Sequence, residues 1–170
     1  GALTADDVGS RCVAVGWDAL GSQNATGATA NNFYNTAVGA NTGFSITEGY
    51  YNTLVGGLAG DGITTGLQNT AVGYLALSAS AASGNTAIGN EALAVNGGSN
   101  NTAIGLNAGK AATSGNGGFF IGKDAGLTGS PGGNFTSSQN IGVIGDENIS
   151  AIHTQVNLTV ASDQRDKTDF

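Results

Sequence analysis

Along most of the chain, hydrophobic and polar positions follow one short motif: Asn, Thr, a small apolar residue, Val or Ile, then glycine. It reads Asn-Thr-Ala-Val-Gly at 35–39 and 69–73, Asn-Thr-Leu-Val-Gly at 52–56, and Asn-Thr-Ala-Ile-Gly at 85–89 and 101–105. In register with these, Val or Ile precedes a glycine eight times, at Gly16, Gly39, Gly56, Gly73, Gly89, Gly105, Gly122 and Gly145. The gaps between those glycines are 23, 17, 17, 16, 16, 17 and 23 residues. A period this short and regular predicts a solenoid with one coil per repeat.

The residues up to each glycine read as a short strand whose side chains alternate between two faces. Thr and the Val or Ile share one face. Ala37, Leu54, Ala71, Ala87 and Ala103 lie on the other. Apolar residues on both faces of a strand imply that both are covered. The glycine predicts a positive φ or a close backbone approach. A small residue recurs three positions beyond it, at Ala19, Ala59, Ala76, Ala92, Ala108 and Ala125. A coil of this length has room for two strands and two turns. The predicted fold is therefore all-β, a parallel β-roll or solenoid of about eight coils of 16–17 residues. One coil buries too little apolar area, at about 25 cal/mol per Å², to offset the ordering of its residues. The missing burial is expected from other chains, in an obligate homotrimer packed on the alanine face, with Ala37, Ala71, Ala87 and Ala103 along the axis. The repeated Asn35, Asn52, Asn69, Asn85 and Asn101 are expected to stack as an amide ladder.

Composition narrows the function. Of 170 residues 30 are glycine, charged residues are 10%, and the net charge is −7. A chain this acidic, with five scattered cations, has no basic stripe for nucleic acid. No apolar run approaches the length of a membrane span, so no membrane insertion is expected. Cys12 is the one cysteine, which precludes an intrachain disulfide framework or thiol metal cluster. No metal and no cofactor is implied, and the abrupt start of the sequence reads as part of something longer.

Two family resemblances enter here. The Asn-Thr-Ala-Ile-Gly-x-x-Ala unit, with Arg11-Cys-Val-Ala-Val-Gly16, resembles the head repeat of YadA-type trimeric adhesins over roughly residues 11–126. The period here is two or three residues longer than the usual adhesin unit. That resemblance implies a left-handed parallel β-roll, which phage fibres also contain. Residues 151–160 alternate, with Ile152, Val156, Leu158 and Val160 on one face, and Ser162-Asp-Gln-Arg-Asp-Lys-Thr-Asp-Phe170 follows. This resembles the Ser-Asp-x-Arg-x-Lys signature opening the endosialidase-type intramolecular chaperone of phage tail spikes and fibres. Ser162, Asp163, Arg165 and Lys167 match, and Asp166 replaces the usual leucine. It implies trimer assembly followed by self-cleavage near Ser162–Asp163, with Ser162 as nucleophile and Asp163 and Lys167 as candidate activating groups.

The expected organisation is an N-terminal connection over 1–10, the repeat roll over 11–149, a terminal strand over 150–161 and the start of the chaperone over 162–170. The expected function is a structural and host-receptor-binding segment of a trimeric phage tail fibre or spike in the virion, not an enzyme apart from autoproteolysis. The head of a bacterial surface adhesin is the alternative. Expected partners are two identical chains, other tail-fibre proteins, and a host cell-surface glycan or protein. An ice-binding solenoid fits less well, with one regular Thr per coil. A polysaccharide-degrading enzyme lacks its carboxylate pair, since Asp18, Glu91, Asp124 and Glu147 read as solvated turn residues.

Candidate binding chemistry is confined to the aromatics. Phe33–Tyr34 and Tyr50–Tyr51 share one register on adjacent coils, a ladder suited to glycan contact with its Asn and Thr neighbours. The competing role for them is corner filling. Phe119 and Phe120 replace Thr and Ala in the seventh repeat. On the supposed packing face they would force chains apart or plug a widening axis. His153 is the one histidine and makes no triad.

Overall fold

The computed structural model describes residues 1–4, 11–24, 33–79, 83–130, 135–137 and 140–152. Among them are eight strands of three residues each: β1 Val13–Val15, β2 Thr36–Val38, β3 Thr53–Val55, β4 Thr70–Val72, β5 Thr86–Ile88, β6 Thr102–Ile104, β7 Phe119–Ile121 and β8 Gly142–Ile144. They form one parallel sheet in chain order. The register keeps Thr on Thr, Ala or Leu on its counterpart, and Val or Ile on its counterpart. The described residues contain no helix. The fold is an all-β parallel solenoid of about five turns, and the turns from β2 to β7 are the regular ones.

The opposite side of each coil departs from the expected second strand. It is a pair of tight turns. Ala59, Ala76, Ala92, Ala108 and Ala125 donate their N–H to the repeat glycine three residues back, at 3.2–3.4 Å. A second turn follows at once, with Ile46, Ile63 and Ala112 donating to Gly43, Gly60 and Gly109. Both turns need left-handed backbone, and the sequence supplies it at fixed places. Asp18, Asn41, Leu58, Leu75, Glu91, Asn107 and Asp124, each two residues past the repeat glycine, have φ of 51–57°. Turns stack without a pleated strand because their amides still reach the next coil: Leu20 to Thr42, Gly43 to Ala59, Leu93 to Ala108, at 2.9–3.0 Å.

The repeat glycine is required twice over. Gly56 has a φ of 129°, and a Cβ on it would lie 2.6 Å from the carbonyl oxygen of Gly73 in the next coil. Only a glycine backbone both adopts that torsion and stacks that closely.

The asparagine ladder runs inside the coil. Asn52, Asn69, Asn85 and Asn101 each donate a backbone N–H to the side-chain oxygen of the asparagine one coil earlier, at 2.9–3.0 Å. The ladder ends where Gly118 donates to Asn101 Oδ1. The side-chain nitrogens of Asn35, Asn52, Asn85 and Asn101 donate to the carbonyls of Gly49, Gly66, Gly98 and Gly115 at 2.7–2.9 Å. An amide fits because both its ends find partners in the dry interior.

The alanine face is the chief correction. Ala37, Ala71, Ala87 and Ala103 do not line an interchain axis; they are wholly buried within their own chain, facing Ala59, Ala76, Ala92 and Ala108 from the turns. The coil interior is thin, and roughly one large side chain fills each turn. Leu20 and Leu93 do so from one position. Where glycine takes that position, at Gly43 and Gly60, Leu54, Ile46 and Ile63 occupy the space instead. Phe120 is likewise inside, 3% exposed, in the room left by Gly109, Gly118 and Gly126. It neither spreads chains nor plugs an axis. Phe119 points outward and lies over Gly142 on β8.

The expected strand over 150–161 falls beyond the described residues except at its first positions, where Ala151 and Ile152 are exposed. His153 lies outside them too.

Candidate functional site

Because the alanines point inward, the other strand face looks out. It carries two columns. One is Val13, Thr36, Thr53, Thr70, Thr86, Thr102, Phe119 and Gly142; the other is Val15, Val38, Val55, Val72, Ile88, Ile104, Ile121 and Ile144. No charged residue stands in either column, although the chain carries net charge −7. Val15 is 56% exposed, and Ile88, Ile104, Ile121 and Ile144 are about 40% exposed. A fully buried Val or Ile is worth about 1.5–3 kcal/mol, so each leaves on the order of 1 kcal/mol unrealised. A continuous apolar patch of this kind marks an interaction surface. Sequence reasoning placed this surface on the wrong face. The signal it missed was room: at most levels the inner position of the strand admits only alanine, so the Val or Ile beside it stands outside.

Two corners flank this face. The corner after the strands exposes Trp17, 71% accessible, together with Tyr74 and Leu106. The corner before them holds the aromatic ladder. The Tyr34 and Tyr51 rings stack with centroids 5.6 Å apart and planes 28° apart. Tyr50 meets Tyr51 edge-on at 5.0 Å. The Arg11 guanidinium lies over the Tyr34 ring at 5.5 Å, and its Nη1 donates to the Tyr34 hydroxyl. Both faces of Tyr34 are therefore taken, by Arg11 and by Tyr51, and the ring offers a ligand mainly its edge and hydroxyl. Phe33 is 1% exposed, so it belongs to the interior and not to a glycan-contacting ladder.

Asp18, Glu91 and Asp124 occupy left-handed turn positions, and Asp18 pairs with the N-terminal amine. Lys110 pairs with Glu91. Lys123 pairs with Asp124 at 2.5 Å and approaches Asp146 at 3.9 Å. The Lys123 hydrogen bond, with one from Asn107, holds the Asp124 carboxyl below its ordinary range, and Asp124 in turn raises Lys123. The Asn148 backbone N–H lowers Asp146. Asp61 goes the other way: desolvation raises it, and its Oδ1 is buried without a hydrogen-bond partner. Cys12 takes the asparagine slot of the first coil, where Gln23 Nε2 donates to its sulfur at 3.3 Å. Gln23 Oε1 accepts from Asn35 and so starts the ladder. No cluster of three or more metal-ligating side chains occurs among the described residues, and no helix there is long and apolar enough to cross a membrane. Ser162, Asp163, Arg165 and Lys167 lie outside the described residues.

No protein-family model, curated protein or solved structure matches this chain.

Proposed function

We propose that this chain is a structural, host-facing segment of a trimeric phage tail fibre or spike, matured by a C-terminal self-cleaving chaperone. The uncharged apolar face across eight in-register strands carries the assembly part of this reading. That face runs the length of the sheet, roughly 34 Å at about 4.8 Å per strand, and covering it is the burial that a single thin coil lacks. Three copies packing their Val, Ile and Thr columns toward a common axis bury it completely. The fibre setting rests on the repeat motif and on Ser162-Asp-Gln-Arg-Asp-Lys167 at the end of the β-rich segment.

In this reading the repeat coils act as a stiff shaft. Host contact is assigned to the two 23-residue intervals, Gly16–Gly39 and Gly122–Gly145, where the 16–17-residue period of the sequence is interrupted. The tyrosine corner is less suited, since its ring faces are already occupied. Cleavage requires a constrained Ser162 hydroxyl and a nearby base, because an unactivated serine is a weak nucleophile. Expressing the gene with its downstream sequence and weighing the native product tests the whole reading. The expected product is a trimer whose chains end near Ser162, and Ser162→Ala yields a trimer retaining the C-terminal part. A monomer retaining that part contradicts it.

A further inference from the structure

Two features at the first coil find few partners among the described residues. Among the described residues Arg11 pairs with no carboxylate, unlike Lys110 and Lys123, and its guanidinium meets Tyr34. Trp17 is the most exposed large hydrophobic residue among those described. They sit on opposite corners of the outer face at the same height, Arg11 just before β1 and Trp17 just after it. The next two levels set a large residue against a small one across the strand. Tyr34 precedes β2 and Ala40 follows it; Tyr51 precedes β3 and Gly57 follows it. At the fourth level the order reverses, with Gln68 before β4 and the exposed Tyr74 after it.

We propose that copies of this chain pack side by side, parallel and in register, with the corner before the strands of one copy fitted against the corner after the strands of the next. This rests on the assembly reading above and specifies its contacts. At the second and third levels a bulky residue then meets a small one: Tyr34 over Ala40, Tyr51 over Gly57. The Trp17 ring covers the free side of the Arg11 guanidinium, completing a stack of Trp17, Arg11, Tyr34 and Tyr51 across two chains. A cation between two aromatic faces is favourable without a carboxylate. The contact uses two different surfaces, so it does not stop at a dimer, and turning the apolar faces inward, as the assembly reading has it, closes it into a ring. An antiparallel two-fold pairing instead sets Trp17 against Asp146 and Arg11 against Asn140, leaving Arg11 without an aromatic partner from the second copy.

Paired cysteines read this directly. In a Cys12→Ser background, Tyr34→Cys with Ala40→Cys is oxidised and run on a non-reducing gel. Within one chain the pair cannot bond, because β2 separates them by well beyond the 7 Å or so that a disulfide spans. The expected result is covalent oligomers that close at a single size. Tyr34→Cys with Leu106→Cys, four strand spacings or about 19 Å out of level, stays unlinked. Arg11→Cys with Trp17→Cys is a second matched pair should the first fold poorly. Linking by the mismatched pair, dimers from Tyr34→Cys alone, or an oligomer in which neither matched pair links, each overturns the proposed contact. A protein that sediments as a monomer removes the assembly reading and this contact together.

Discussion

The two faces of the same strand invert the usual expectation about which apolar residues form a core. On the inner face stand alanines, wholly buried by their own chain; on the outer face stand valine and isoleucine, substantially exposed. Interior width decides this. Backbones of neighbouring turns approach so closely that one Leu, Ile or Phe fills each level, and everything else inside must be alanine, glycine or an asparagine bonded at both ends. The Val or Ile before each repeat glycine is left outside, and this column forms a surface that still has burial to gain. On these strands the alanine column therefore marks the inside of the coil, and the Val and Ile column marks the face with burial left to gain.

The comparison breaks most sharply at Ala87 and Ile88, adjacent residues on opposite faces of β5. Ala87→Lys forces a charge into a space with no polar partner, a cost of several kcal/mol. It is expected to abolish the cooperative thermal transition seen by circular dichroism. Ile88→Lys leaves the fold of the single coil intact. Retention of a native-like melt by Ala87→Lys would place the alanines outside the coil after all. Gly56→Ala is expected to cost about 2 kcal/mol or more, since φ and the Gly73 carbonyl both oppose a Cβ. A melt of Gly56→Ala within about a degree of wild type would show that the glycines are not stacked this closely.

The smallest effect concerns pH. Burial raises the Asp61 carboxyl above its unfolded value, so the folded chain binds that proton more tightly. Stability from this group therefore increases as pH falls through the folded pKa, and at neutral pH its charge opposes folding. Asp61→Asn should raise the melting temperature at pH 7 by about a degree or two, kept small by solvent screening, with the gain vanishing in acid. A lower melting temperature at pH 7 would mean that the Asp61 charge is satisfied in solution.

Much of this was legible in the sequence, because a solenoid writes its backbone constraints once per turn. The repeat glycines, the strand register and the asparagine ladder follow from spacing and from what each residue type alone can do. The face assignment did not. Alternation places Ala87 opposite Ile88 but does not say which side is inside; that depends on the coil width, set by tight turns that were expected to be a strand. The turns were hidden because Leu58, Leu75 and Leu77 adopt left-handed torsions usually reserved for glycine or asparagine. Burial and stacking with the adjacent coil offset that strain for Leu77. The exchange among Leu20, Ile46, Leu54, Ile63 and Phe120 was equally obscure, since it links positions that only the folded coil brings together. At the tyrosine corner the ladder was anticipated from register, but the inward turn of Phe33 was not.

Sedimentation of the intact protein beside Ile104→Lys tests most directly the claim that the outer Val and Ile face holds chains together. The wild type is expected to sediment as a single oligomeric species. Ile104→Lys, a charge in the middle of an uncharged face, is expected to yield folded monomers with an unchanged far-ultraviolet spectrum. A folded wild-type monomer, or an Ile104→Lys variant that assembles as wild type does, would contradict the account.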